Sequence, residues 1–335
     1  MQDVARSAGV SHQTVSRVLN GHPGVRPQTR ARVLDVIAEL GYRRNSAARA
    51  LVTSRSGTIG VLTPRSAHFG PVSTLIAVEV AARRAGLFVS VASLQDYDAD
   101  SVTASLDHFL DQGADGIIAI APVPEAVASA SALAAQVPMV LVAAGTPPGS
   151  GYATASVDQE LGARLATRHL LELGHSDIAH LSGPRDWLDA AARRRGWEDE
   201  LRRAGLPVPA VLEGDWTAQS GVAAGQQWLA EGPPAAVFTG NDLMALGLVH
   251  AFAEAGLQVP GDVSVVGFDD VEGAAHYLPP LTTVRQDLLA LGDSCVQLLL
   301  DALAGHELTA GVVLAPQLVE RRSTARVSQR RLARH

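Results

Sequence analysis

The chain has 335 residues, 47% of them hydrophobic, with a formal net charge of −7, enough to bury two or three cores and too long for a single small domain. No apolar run approaches the roughly 18 residues of a membrane-spanning helix, and the opening MQDVARSAGV is acidic and polar where a secretory leader would be basic and then apolar. A cytoplasmic protein with no membrane partner is therefore expected. The one cysteine, Cys295, excludes an internal disulfide or a cysteine metal cluster; its apolar helical surroundings, CVQLLL, predict core packing. The charge is unevenly placed, with nine arginines against only Asp3, Asp35 and Glu39 in the first 55 positions and a strongly acidic remainder. A basic head on an acidic body predicts that the head meets a polyanion.

In chain order, Asp3 to Ala8 reads as a first short helix, stopped by Gly9 in a left-handed conformation. Ser11 stands at an N-cap ahead of HQTVSRVLN, where Val15, Val18 and Leu19 recur at helical spacing. A third helix opens with Pro27, is expected to present Val33, Leu34, Ile37 and Leu40 on one face, and ends at Gly41. Two helices joined by the tight turn Ala8-Gly9-Val10-Ser11, with a third behind them, describe a helix-turn-helix. In that geometry the second helix enters the major groove of double-stranded DNA. His12, Gln13 and Arg17 would face base edges, while Ser11, Thr14, Ser16 and Asn20 lie within reach of the phosphates or groove.

The run DVARSAGVSHQTVSRVLNG, followed by VRPQTRARVLDVIAELGYRRNSAARAL, resembles the signature of the lactose-repressor family. The resemblance implies that Asn45 to Val52 is a hinge helix formed on operator DNA. Asn45 and Ala48 would lie at its contact face, and Leu51 would be a wedge between base steps of the minor groove. Ala47, Ala48 and Ala50 are small enough for two such helices to approach across a homodimer on a pseudo-palindromic site. Family members carry a few more residues before the position of Met1, including a Thr that caps the first helix. Without that cap the helix is expected to be weaker by about 1 kcal/mol.

From Thr58 onward, β-branched runs (TIGVL, LFVSVAS, GIIAIAP, PMVLVAA, IAHLSG, AAVFTG, VSVVGFDD) alternate with helix-length segments, which predicts parallel sheets covered on both faces. The fold class expected is an all-α helix-turn-helix domain plus an α/β, periplasmic-binding-protein-like bilobed domain with two parallel sheets. The boundaries expected are 1–44 for the reader, 45–56 for the hinge and 57–322 for the bilobed domain. Its first lobe would be 57–155 and about 285–315, its second 156–284 and about 316–322. Residues 323–335 read as a disordered basic tail.

Such sheets bind ligands beyond the carboxyl ends of their strands. Asp158, Trp216, Asn241, Asp269 and Gln286 stand at or just after predicted strand ends and Arg193 in the helix after SGPRDW, and together they combine carboxylates, amides and an aromatic face, the groups that hold a sugar. The resemblance, through GDWTAQSG, GNDLMALG, SVVGFDD and LPPLTTVRQD, implies that these six positions contact an inducer, a β-galactoside or related β-glycoside. Leu288 stands where it would place an aromatic. Asp158 and Asn241 also read as helix caps, and Trp216 as inter-lobe packing. Asp269-Asp270 has no His or Cys at ligand spacing to make a metal pair, and neither a phosphate-binding loop nor a nucleophile elbow occurs, so no cofactor and no enzyme activity are expected. The alternatives are a solute-binding protein for a sugar transporter and a family repressor using a non-sugar corepressor. The absence of a leucine heptad in RSTARVSQRRLARH predicts a dimer and no tail-built tetramer.

Overall fold

The computed structural model describes residues 1–19, 21–42, 55–95, 98–133, 137–146, 152–306 and 311–327. Asn20 and the expected hinge, with Asn45, Ala48 and Leu51, lie outside the described residues. The chain divides into two compact units, 1–56 and 57–335.

In the first unit, α1 (Gln2–Ser7), α2 (His12–Leu19) and α3 (Pro27–Glu39) close over a small core of Val4, Ala5, Ala8, Val15, Val18, Val33 and Val36. Gly9 makes the turn between α1 and α2 at φ +63°, a conformation that costs glycine little. Met1 gives α1 no side-chain cap, whereas Ser11 Oγ accepts the Thr14 amide at 3.2 Å at the head of α2. The expected inner face of α3 needs correction: Leu34 and Leu40 are about half exposed, at 48% and 50%, and Val36 is buried in their place. Both stripes have helical period, and the positions of α1 and α2 decide between them.

The second unit holds two six-stranded sheets. In the first sheet β1 (Thr58–Pro64), β2 (Phe88–Leu94), β3 (Gly116–Ile120), β4 (Met139–Val142), β5 (Tyr152–Val157) and β11 (Val312–Leu314) lie in the order β11-β5-β4-β3-β1-β2. In the second, β6 (Ile178–Ser182), β7 (Leu212–Glu213), β8 (Ala236–Thr239), β9 (Ser264–Asp269), β10 (Thr282–Arg285) and β12 (Gln317–Val319) lie in the order β12-β10-β9-β8-β6-β7. Pairing is parallel except for β10 with β12. The chain crosses between sheets three times: after β5, after β10 and after β11.

Each sheet is covered twice, which is why its strands read as continuous apolar runs. On the first, Ile59, Val61, Ile118 and Val140 meet α4 (Phe69–Arg84) and α11 (Leu288–Leu303), where Cys295 is fully buried. Burial pushes its thiol up to about 12. Leu62, Ile117, Met139 and Leu141 face α5 (Ala99–Asp111) and α6 (Pro124–Leu133). On the second sheet, Leu181, Val237 and Val265 meet α9 (Ala218–Glu231) and α10 (Asp242–Glu254). Phe238, Val266 and Phe268 meet α7 (Gln159–Glu172) and α8 (Leu188–Arg203).

The start of the expected tail also needs correction. Ser323 is fully buried, its hydroxyl donating to Val265 O at 2.6 Å and accepting the Thr282 amide at 2.8 Å. The Ala325 amide donates to Ser264 Oγ, and the Val327 amide to Leu173 O. Residues 323–327 are thus tied to the second sheet and to the end of α7 by hydrogen bonds that a composition-based reading does not register.

Candidate functional site

Two surfaces collect the residues singled out from sequence. On α2, Val15 and Val18 are buried while His12, Gln13 and Arg17 are exposed, so the helix turns a polar stripe to solvent because its apolar stripe is spent on the core. Ser11 and Thr14 bond each other, Oγ to Oγ1 at 2.9 Å, which ties Ser11 to the cap.

The second collection lies at the carboxyl ends of the second sheet, facing the first. Asp269 ends β9, Gln286 follows β10, and Arg193 projects from α8. Arg193 Nε donates to Gln159 Oε1 at 2.9 Å, Gln159 Nε2 to Gln286 Oε1 at 2.7 Å, and Gln286 Nε2 to Asp269 Oδ1 at 2.8 Å. The circuit closes through Arg193 Nη2, 3.5 Å from Asp269 Oδ1, and Arg193 Nη1 donates to Gly240 O. The guanidinium lies 3.8 Å from the ring centre of Phe268 and 5.5 Å from that of Trp216. Burial, only partly offset by Arg193, raises the Asp269 carboxyl to about 6. Neighbouring Asp270 is held instead by Arg285 Nε and Arg321 Nη2, each at 2.6 Å. Asp242, raised well above the usual carboxylate range by burial, accepts from Thr283 Oγ1 at 2.5 Å and from the Val271 amide at 2.9 Å.

Trp216 is 5% exposed and stands at φ +71°, a conformation uncommon for a bulky residue and held only where surroundings over-determine it. Asn241 supplies part of that constraint: its Nδ2 donates to Trp216 O at 3.0 Å while its Oδ1 caps α10 by accepting the Met244 amide. The indole lies where a Cβ on Gly183 would have to be. Its Nε1–H is buried and has no partner among the described residues. Trp187 meets it edge-on, ring centres 5.6 Å apart.

Of the six candidates, Arg193, Asp269 and Gln286 share one hydrogen-bonded circuit, with Trp216 beside it and Asn241 joined through Trp216. Asp158 stands apart, its Oδ1 accepting the Leu161 amide at 2.8 Å at the head of α7. Sequence reasoning missed Gln159, which sits behind that cap in a helical pattern, and Trp187 and Asp189 at the start of α8. A cavity of ≈ 50 Å³ is lined by Ile120, Ala143, Trp187, Asp189, Gln286 and Leu288. A wider one of ≈ 590 Å³, lined in part by Phe69, Asp269 and Asp270, shares Gln286 and Leu288 with it.

The arrangement offers carboxylates, amides, a guanidinium and an aromatic face around a polar recess, with no group of His, Cys, Asp and Glu able to hold a metal ion among the described residues. No helix among them is long and apolar enough to cross a membrane.

Residues 1–45 match the family described as "Bacterial regulatory proteins, lacI family", and residues 167–324 match "Periplasmic binding protein-like domain". The lactose operon repressor of Escherichia coli (strain K12) is 38% identical over 328 residues, 97% of this chain and 90% of its own length. Catabolite control protein A of Priestia megaterium is 33% identical, covering 97% of this chain and 98% of its own. A solved lac repressor dimer bound to operator and the anti-inducer ONPF superimposes with a TM-score of 0.85 at 37% identity, covering 96% of this chain and 98% of that one.

Proposed function

The chain belongs to the lacI family of bacterial regulatory proteins, and on that premise we propose that it is a cytoplasmic repressor of carbohydrate-utilisation genes, released from its operator by a sugar bound between the two lobes. As a family member it is a DNA-binding transcriptional repressor and not an enzyme. In this reading a homodimer holds pseudo-palindromic double-stranded DNA. Gln13 pairs with adenine, Arg17 with guanine, His12 lies beside them, and Ser11, Thr14, Ser16, Asn20, Asn45, Ala48 and Leu51 complete the contact set. The effector set is Asp158, Arg193, Trp216, Asn241, Asp269 and Gln286, and the effector a β-galactoside or related β-glycoside.

The observation that carries the sugar reading is the circuit Arg193–Gln159–Gln286–Asp269 beside the unpartnered indole N–H of Trp216. The circuit fixes every side chain in it yet leaves carboxylate lone pairs on Asp269, while Trp216 adds a donor and an apolar face. A hydroxylated ring with one apolar side satisfies these groups together. An effector that prefers one lobe orientation shifts the population of that orientation, and the coupling is reciprocal, so operator DNA weakens the effector by the factor with which the effector weakens DNA binding.

The test is operator binding by fluorescence anisotropy on a palindromic family-type site at fixed salt, with and without a panel of galactosides and glucosides. Release by one sugar, lost in Trp216→Ala while DNA binding is retained, supports the reading. DNA binding indifferent to every sugar rejects the cleft assignment, and no DNA binding at all rejects the repressor.

A further inference from the structure

We infer that a cavity on the flank of the second lobe, between α8 and the β6–β7 edge of its sheet, is a second ligand site, one that takes a phosphate monoester with an apolar body. It does not depend on the sugar reading: every residue lining the cavity belongs to the second lobe, none of the six effector candidates lines it, and it shares no residue with the two cavities described above.

The cavity measures ≈ 370 Å³, within the range of small-molecule sites. Arg185, Arg194 and Arg195 line it together with Glu198 and Glu213, so cations outnumber anions on its wall. Both carboxylates are already served. Glu213 Oε2 lies 2.5 Å from Arg185 Nε, and its Oε1 accepts the Arg185 amide at 3.1 Å. Glu198 accepts from Arg194 Nε at 2.7 Å and from Arg202 Nη2 at 2.8 Å. Burial alone would raise the Glu198 carboxyl, and these two arginines hold it below the usual carboxylate range instead, so it stays an anion committed to its own cations. The arginines are not committed in turn. Among the described residues the terminal nitrogens of Arg185 and Arg194 donate no hydrogen bond, and Arg195 donates none at all: its nearest acid, Glu160, is 3.7 Å from Nε and already accepts from Arg164 at 3.1 Å.

A row of arginines along a helix is ordinarily a solvated face that closes on acids of its own helix, and Arg202 and Arg203 do that, on Glu198, Asp199 and Glu200. Arg194 and Arg195 differ because they open on a recess walled in part by the apolar Ala190, Ala191 and Val211. Unspent guanidinium groups on one side and an apolar wall on the other match an anion with several acceptor oxygens carried on an apolar group. A phosphate monoester offers three such oxygens to three guanidinium groups, whereas a carboxylate fills a single fork.

The experiment titrates the full chain by calorimetry at fixed ionic strength with phenyl phosphate, with inorganic phosphate and with benzoate, in wild type and in Arg194→Gln, Arg195→Gln and Arg203→Gln. Wild type is expected to bind phenyl phosphate about tenfold or more tightly than benzoate, the range for an added hydrogen bond between charged groups. Arg194→Gln and Arg195→Gln should each weaken phenyl phosphate by a similar factor. Arg203→Gln, which removes the same charge from the same helix outside the cavity, should bind it as wild type does. Arg185→Gln, just before α8, carries the test if a helix variant does not fold. Inorganic phosphate binding as tightly as phenyl phosphate overturns the monoester in favour of the free anion. Equal weakening in all the variants, which marks non-specific attraction to positive charge, or no binding by wild type, overturns the site, and the sugar reading of the cleft survives either result.

Discussion

The amide of Leu188 donates to the carbonyl of Pro122 at 2.8 Å, a hydrogen bond from the first turn of α8 in one lobe to the end of β3 in the other. The Leu188 side chain follows it into a small apolar cluster of Ala121, Ala126 and Ala143. Trp187, one residue earlier, takes the ring of His68 edge-on at 5.4 Å and lines the cavity that also contains Asp189 and Gln286. The segment that bridges the lobes is thus also a wall of the cavity, so under the proposed function an effector bound there would bias lobe orientation.

Truncating that clasp without touching its hydrogen bond should favour the open arrangement. Leu188→Ala removes partly buried apolar surface worth about 1–2 kcal/mol, so effector affinity is expected to fall by about fivefold to 30-fold. Small-angle scattering of the unliganded sensor unit should show a larger radius of gyration than wild type. An unchanged radius together with unchanged affinity would show that Leu188 does not hold the lobes.

Arg193 is the member of the circuit least replaceable in kind. A lysine cannot serve Gln159, Gly240 and Asp269 at once, because its ammonium lacks the fork that reaches all three. Arg193→Lys is expected to weaken effector binding by about 100-fold and to destabilise the sensor unit by about 2–4 kcal/mol, since a single ammonium leaves at least one of these buried acceptors without its donor. Calorimetry and urea unfolding measure the two effects separately.

How much of this was legible in sequence follows from where each residue's partners lie. The alternation of β-branched runs and helices gave away two covered sheets; Asp269 and Gln286 were singled out because strand ends face the cleft in such sheets, and Arg193 in the helix that follows SGPRDW, and the structure joins the three in one hydrogen-bonded circuit. Gln159 and Asp189 were not singled out, because one follows an obvious cap and the other looks like an ordinary helix-start acid; only the folded chain puts Gln159 beside Gln286, 127 positions away. The inner face of α3 was misread for a related reason, as Val33 fits two helical stripes and packing against α1 and α2 selects the one through Val36. Asp158 shows the converse, a residue whose local capping role was visible and is the role its hydrogen bond displays.

The Asp269 carboxyl, at about 6, lies above the value of about 3.9 for an unfolded aspartate, and this fixes the sign of its pH dependence. The native state binds the proton more tightly, so Asp269 stabilises the fold fully below about pH 4 and that contribution is lost as pH rises through about 6. Asp269→Asn removes the loss, and above pH 6 the variant is expected to gain on wild type by up to about 3 kcal/mol. The gain should vanish near pH 4 in urea unfolding measured across that range. Hydroxyls donating to the carboxylate favour its ionised form, so wild-type effector affinity should rise between pH 5 and pH 7 and that of Asp269→Asn should not. An advantage for the variant at low pH would contradict the assignment.

In the reader, Ser11 and Gln13 separate folding from recognition. Ser11→Ala deletes the cap on the Thr14 amide and is expected to destabilise the unit by about 1 kcal/mol. Gln13→Ala, at an exposed position, should alter stability by less than about 0.5 kcal/mol while costing about 1–3 kcal/mol of operator affinity and relaxing the preference for adenine at one step. Thermal unfolding of each variant alongside anisotropy on substituted operators distinguishes them; equal loss of specificity in both would mean that Gln13 acts through the fold.

Gly183 tests whether the position of Trp216, rather than its mere presence, sets the effector site. The indole fills the space that a Cβ at 183 would occupy, and the backbone of Trp216 is pinned at positive φ with its carbonyl on Asn241. The ring therefore cannot retreat by a small rotation, and one methyl group at 183 must displace it from its place beside Arg193. Gly183→Ala is expected to cost about 1–3 kcal/mol of stability from overpacking and to weaken effector binding by about tenfold or more, since the stacking face moves out of register with the polar circuit. Operator affinity without effector should stay at the wild-type value, because the substitution lies in the second lobe of the sensor unit and leaves the reader's own core untouched. A Gly183→Ala protein that responds to effector as wild type does would show that the indole is structural packing and that the polar circuit alone holds the ligand.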